Sequence, residues 1–292
     1  MNTAQACIPC IIRQTAEVLA ATAPDPAQKE ILMRRILREI AKADWDTTPP
    51  ALVQRIHRII KKMTGDSDPY RKVKREMNRM AASLLPELRK QIRSSANPRE
   101  TAARLAIAGN LLDSGAKTQI SARDLPEHVT RVLKQSLVGD VTKLFRAAES
   151  ARDILYLTDN AGEIFFDRLL IEELPLKKIT VAVRGAPVIN DATLKDAKDA
   201  GLPGLVPVIN NGSDAPGTIL ADCSPEFRKR FKRAELIIAK GQGNYESLAH
   251  AGRPNLWFLL TVKCPLVASQ LKTPVGSLAV REHRPAPHRS DG

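Results

Sequence analysis

Ile154-Leu155-Tyr156-Leu157-Thr158-Asp159-Asn160-Ala161-Gly162-Glu163 is the stretch on which the fold turns. A four-residue apolar run of β-prone type gives way to two oxygen-bearing side chains. An apolar-periodic segment, from Ile164 to Leu174, then begins. The pattern predicts a buried strand that ends in a polar loop and feeds a helix. Open α/β sheets bind ligands outside the carboxyl ends of such strands. A helix start also presents unpaired N–H groups and a positive dipole end to an anion. The same residues read equally well as a helix N-cap, with Asp or Asn capping and Glu163 in the first turn.

Downstream of this stretch, apolar runs alternate with helical patterns. Strands are expected at 154–157, 179–183, 205–209, 236–239 and 256–261. Helices are expected near 163–174, 191–200, 224–233 and 244–250. This rhythm predicts a mostly parallel, Rossmann-like sheet with helices on both faces, a three-layer α/β fold over 146–280. Upstream, residues 1–145 read as a helical domain. Apolar residues recur at helical spacing in 10–20, 28–43 and 52–63, and Pro24, Pro26, Pro49, Pro50 and Gly65 break the segments. A basic helix is expected from Asp68-Pro69-Tyr70 through Leu84, punctuated by Pro86, and another over 101–112. Residues 281–292, with Pro285 and Pro287, read as a disordered tail.

The 292 residues suffice for a sizeable core, and the composition is that of a globular chain, with 43% apolar and 26% charged residues. No apolar run is long enough to span a membrane, and the first residues lack a basic-then-apolar leader, so the cytoplasm is the expected location. Four cysteines in this length do not form a secreted disulfide framework. The net charge of +13 is uneven. Residues 1–150 hold 26 Lys/Arg against 16 Asp/Glu. A basic lobe suits phosphorylated metabolites or nucleic acid. The charges of helices 55–79 have few aromatic neighbours for base stacking, so a solvated helix face is the preferred reading.

Polar residues gather where the expected strands end. Arg184-Gly185-Ala186-Pro187-Val188-Ile189-Asn190-Asp191 follows the second strand, and a neighbouring strand's loop would carry Asp191 towards Asp159. Two carboxylates with the amide of Asn160 are hard oxygen donors, suited to Mg²⁺, Mn²⁺ or a similar ion. The five histidines are scattered, which argues against a His-rich zinc site. Lys240-Gly241-Gln242-Gly243-Asn244-Tyr245-Glu246 lets backbone approach an anion but has neither P-loop nor dinucleotide spacing. Lys263 after the fifth strand is costly to bury without an anion.

These motifs, in this order, resemble those of the damage-control phosphatases: Asp-Asn-Ala-Gly-Glu, Pro-Val-Ile-Asn-Asp, Lys-Gly-Gln-Gly-Asn-Tyr-Glu and Thr-Val-Lys-Cys-Pro. The resemblance extends upstream through Cys7-Ile8-Pro9-Cys10, Asp68-Pro69-Tyr70 with Lys74 and Asn78, and Gly109-Asn110 with Asp113. The Cys-x-x-Cys resembles the prokaryotic stand-alone branch. The resemblance implies metal-dependent hydrolysis of small phosphorylated metabolites such as sugar phosphates. It implies a divalent ion (Mn, Co, Ni or Mg) on Asp159, Asn160 and Asp191, with Asp159 catalytic. It implies substrate contacts from Gln242, Gly243, Asn244, Tyr245, Glu246 and the phosphate-binding Lys263, with Lys240, Asn110 and Asp113 also in the pocket. Better-studied branches carry Asp-Leu-Asn-Tyr-Arg and Arg-Thr-x-Lys where this chain has Gln-Gly-Asn-Tyr-Glu and Leu-Thr-x-Lys. Cys7 and Cys10 read as a redox pair, as half of a second metal site completed by Cys264, or as two small helix residues packed against the core. Competing readings are a nucleic-acid-binding protein and a cofactor-dependent methyltransferase, the latter weakened by the single glycine after the first strand.

Overall fold

The computed structural model describes residues 1–22, 25–109 and 125–283. Among them seven strands form one sheet: β1 (Leu137–Gly139), β2 (Ile154–Leu157), β3 (Ile179–Val183), β4 (Val208–Asn210), β5 (Leu236–Lys240), β6 (Leu256–Thr261) and β7 (Leu278–Glu282). Their order across the sheet is β1-β7-β6-β5-β2-β3-β4. Every neighbouring pair is parallel except β6 and β7. β2 is flanked by β3 and β5, so the chain leaves it in one direction and later returns on its other side. That reversal is a topological switch point, where the loops after β2 and β5 diverge and leave a crevice.

The alternation within β2 assigns the two faces. Ile154 and Tyr156 join a core with α4 (Arg71–Ser94), α5 (Pro98–Ala108), α7 (Val141–Ser150) and α8 (Glu163–Glu172). Leu155 and Leu157 face α10 (Pro225–Arg233), α11 (Gly241–Leu248) and α12 (Pro265–Leu271). Because both faces are covered, the central strands are apolar throughout, as a parallel sheet requires. A third cluster joins α1 (Cys7–Thr22), α2 (Pro26–Ala41) and α3 (Pro49–Thr64). α6 (Leu125–Lys134) and α9 (Leu194–Asp199) complete the helices of the described residues. The helical stretch 1–145 thus does not pack as one body: α1–α3 hold their own core, whereas α4 and α5 are a layer of the sheet's.

Two further expectations are corrected. Pro86 does not end its helix but lies inside the 24-residue α4, where Leu84, Leu85, Leu88 and Ile92 bury the stripe that holds it in place. The tertiary gain from that stripe exceeds the local cost of the lost hydrogen bond. The strand expected at 205–209 is β4, which begins at Val208, and β1 and β7 are strands that alternation within such short runs does not reveal. Arg281 and Glu282, placed in the tail, pair with Phe258 and Trp257 of β6; residues 284–292 of that expected tail lie outside the described residues. No described helix is long and apolar enough to cross a membrane.

Candidate metal and phosphate site

The loop after β2 is held to the loop after β3 by the backbone. Ala192 donates to the Asp159 carbonyl at 2.8 Å, and Ala161 donates to the Asn190 carbonyl at 2.8 Å. The segment 184–191 turns back on itself, with Arg184 N–H reaching the Ala192 carbonyl at 2.9 Å, and Asn160 and Asp191 become bridge partners. Lys61 of α3 steadies the turn by donating to the Pro187 carbonyl at 2.8 Å. Two carboxylates 32 positions apart in sequence are thereby fixed side by side, as the sequence pattern predicts.

Asp159, Asn160 and Asp191 are each buried yet line a cleft of about 470 Å³. Asn160 spends its amide hydrogens on Asp159 Oδ2 at 3.0 Å and Glu163 Oε2 at 3.2 Å, leaving the carbonyl oxygen as its donor atom for a ligand. Burial, and next the charges of Glu163 and Asp191, push the Asp159 carboxyl well above its usual range. Burial raises Asp191 also, against the opposing charge of Arg184. Arg184, itself buried, donates Nε to Asp191 Oδ2 at 2.6 Å and brings Nη2 to 3.9 Å from Asp159 Oδ1. Hard oxygen donors, crowded negative charge and a cleft opening together fit a divalent cation, which lowers the energy of both ionised carboxylates at once.

Gly241 closes the site from the β5 side. Its φ is +79°, and a side-chain Cβ at that position would stand 1.9 Å from Asp159 Oδ2, so only glycine fits. α11 starts at this glycine, and Gln242, Gly243 and Glu246 line the cleft. Burial lifts the Glu246 carboxyl to about 6, against the bond from Gln242 Nε2 to Glu246 Oε1 at 2.7 Å. Lys263 lines the same cleft and is exposed to it. Lys263 is thus not buried, and the cost of burying a lysine without a buried anion does not arise for it.

The lysine that does need one is Lys240. Expected in the substrate pocket, it lies fully buried beneath the site, with Nζ donating to Glu163 Oε1 and Asp167 Oδ1 at 2.6 Å each and to the Ala106 carbonyl at 2.8 Å. Its three ammonium hydrogens are used, so it binds protein rather than substrate. Asn244 and Tyr245 are likewise withdrawn from the cleft. Asn244 joins the strand ends through the Thr158 and Lys240 carbonyls at 3.0 and 2.7 Å, and Tyr245 packs its ring on Phe258 at 5.1 Å. Asn110 and Asp113 lie outside the described residues.

The start of α8 is not an open anion site either. Gly162 N–H is taken by Asn78 Oδ1 at 2.8 Å, and the Ala161 N–H is spent on Asn190. The first residues of α11 do line the cleft, where a helix start can meet an anion. Reading from sequence passed over Arg184, although an arginine directly after an apolar strand marked it. It also gave Asn78 no role, although Lys74 and Asn78 interrupt the apolar stripe of α4 one turn apart. Cys7, Cys10 and Cys264 all line the cleft.

Comparison with known proteins places the chain in a family. Residues 3–278 match the model of the damage-control phosphatase ARMT1-like domain. The chain is 34% identical over 289 residues to a damage-control phosphatase of Pyrococcus horikoshii, covering 97% of this chain and 99% of the relative. It is 36% identical over 234 residues to a damage-control phosphatase of Archaeoglobus fulgidus, covering 79% and 81%. The crystal structure of a DUF89 family protein from Pyrococcus horikoshii superposes with a TM-score of 0.90 at 34% identity, over 97% of this chain and all of that one.

Proposed function

This chain belongs to the ARMT1-like damage-control phosphatase family, and we propose that it is a divalent-metal-dependent phosphatase acting on small phosphomonoesters such as sugar phosphates. The observation that carries the reading is convergence at the switch point: Asp159, Asn160 and Asp191 share one cleft with Lys263 and the first residues of α11. Asp159, Asn160 and Asp191 hold the ion, one of Mn²⁺, Co²⁺, Ni²⁺ or Mg²⁺. When bound, such an ion supplies Lewis acidity towards a phosphoryl oxygen and acidity to a water.

The chain's own groups do the rest. Lys263 neutralises the phosphoryl charge, and the N–H groups at the start of α11 add oriented dipoles where negative charge develops. Asp159 is the catalytic carboxylate, kept in place by Asn160 Nδ2 and by the wall that Gly241 leaves open. Arg184 orients Asp191 through its 2.6 Å bond and reduces repulsion between the two acids. Of the basic helix, Lys74 is turned inward onto Asp68 and Asp196, while Arg71, Lys72, Arg75 and Arg79 are exposed.

The test is hydrolysis of p-nitrophenyl phosphate by chelator-stripped protein, with each metal added back singly, alongside Asp159→Ala and Asp191→Ala. Activity restored by metal and lost in both variants supports the proposal. Activity that persists in either variant overturns the assignment, and metal titration by calorimetry on the same samples reads the ligand set separately.

A further inference from the structure

Cys7 is the first residue of α1, and Cys10 follows one turn later. Cys264, next to Lys263, caps α12. The three thiols line the cleft that holds Asp159 and Asp191, and none is in a disulfide. Cys7 lies within electrostatic reach of Glu246, Cys264 and Cys10. Among the described residues no group of three or more His, Cys, Asp or Glu side chains is placed to hold a metal ion.

Helix geometry sets what the pair can do. Three residues of α-helix advance about 4.5 Å along an axis of radius about 2.3 Å, which separates the Cα atoms of positions i and i+3 by about 5 Å. Disulfides span Cα separations of roughly 4.4–6.8 Å, so Cys7 and Cys10 can be bridged without moving the backbone. The two thiols also differ. Cys10 is exposed, whereas Cys7 is partly buried and its thiol is raised by that burial.

We propose that Cys7 and Cys10 form a dithiol site that exchanges with low-molecular-weight disulfides, and that the oxidised pair weakens substrate binding in the adjoining cleft. The second half rests on the phosphatase reading; the first does not. The Cys10 thiolate attacks one sulfur of the small disulfide, whose S–S bond breaks and releases one thiol carrying the proton lost by Cys10. The Cys7 thiolate then attacks the Cys10 sulfur of the mixed disulfide and expels the second small thiol. Two protein thiols are oxidised and one small disulfide is reduced to two thiols, with no net proton change. The bridge draws the Cys7 sulfur along α1 and away from Glu246 and Cys264, altering the wall beside Lys263.

The experiment treats the full chain with oxidised glutathione, alkylates the remaining thiols, and locates the labels by peptide mass spectrometry. p-Nitrophenyl phosphate kinetics run in parallel on wild type, Cys10→Ser and Cys264→Ser. The expected result is loss of two labelled thiols, both at positions 7 and 10, with KM raised, kcat unchanged and full reversal by dithiothreitol. Cys10→Ser keeps its KM under oxidant, and Cys264→Ser responds like wild type. Full labelling of Cys7 and Cys10 in excess oxidised glutathione overturns the site. Loss of the bridge in Cys264→Ser overturns the pairing, and a bridge that leaves KM unchanged overturns its effect on binding. Should the reduced protein hydrolyse nothing with any metal, the phosphatase reading fails while the mass readout still decides the dithiol.

Discussion

Two clusters of charge lie one above the other at the end of β2, and they are built from the same residue types for opposite ends. In the lower one Lys240 meets Glu163 and Asp167, and Tyr156 donates its hydroxyl to Asp167 Oδ1 at 2.8 Å. It is sealed from the cleft, and all three ammonium hydrogens of Lys240 are used within it. In the upper one Asp159 and Asp191 face each other across Asn160 with Arg184 as the adjacent cation. That cluster has the same two carboxylates to one cation but opens on the cleft, and its cation bonds Asp191 at 2.6 Å while standing 3.9 Å from Asp159. The difference teaches that a buried ionic group is structural when it is enclosed and bonded by its neighbours and available for chemistry when it faces a cleft with its cation held off. Glu163 joins the two, bonding Lys240 below and Asn160 above.

The contrast breaks most sharply at Asp159. Asp159→Ala is expected to lower kcat/KM by at least about 10³-fold, the scale on which one electrostatic stabiliser acts. The urea midpoint is expected to stay level or rise, because a crowded buried charge is removed; a large drop in the midpoint would place Asp159 in the structural class. Lys240→Met inverts the pattern. It strands Glu163 and Asp167 without a cation, at a cost of about 3–5 kcal/mol read by urea unfolding. A stable and active Lys240→Met protein would dissolve the distinction between the clusters.

Lys263→Ala is a smaller test of the upper cluster. Loss of one charge-assisted contact to phosphate should raise KM by roughly tenfold while leaving unfolding unaltered. Kinetics and a urea curve on one preparation check both halves. The smallest effects belong to the seam where α3 meets the sheet loops. Burial, and then the charge of Lys61, hold His57 down at about 4, below the ordinary 6.5. Burial alone would raise Asp214, but bonds from Arg58, Gln54 and Lys61 hold it at about 2, below the ordinary 3.8. In both cases the unfolded chain binds the proton first, so stability falls as pH falls. The His57 contribution is lost between about 6.5 and 4 and the Asp214 contribution between about 4 and 2. Urea midpoints against pH should show His57→Phe flattening the upper step and Asp214→Asn the lower.

Sequence alone determined the parallel α/β architecture, because strands covered on both faces must be apolar and their rhythm with helices is legible locally. It also determined that Asp159, Asn160 and Asp191 meet, since acids and amides placed directly after such strands fall at one edge of the sheet. The family resemblance rested on the same residues. Tertiary structure decided which polar groups are satisfied, a property of neighbours far apart in the chain. Lys240 and Lys263 each follow an apolar strand and look alike in sequence. Only the packing of α5 and α8 beneath β5 turns one inward, while the other stands at the cleft. The same holds for Asn78, which fills the start of α8 from a helix 84 residues away. Local pattern records where a side chain sits along its own element; its charge balance is set by elements that meet it in space.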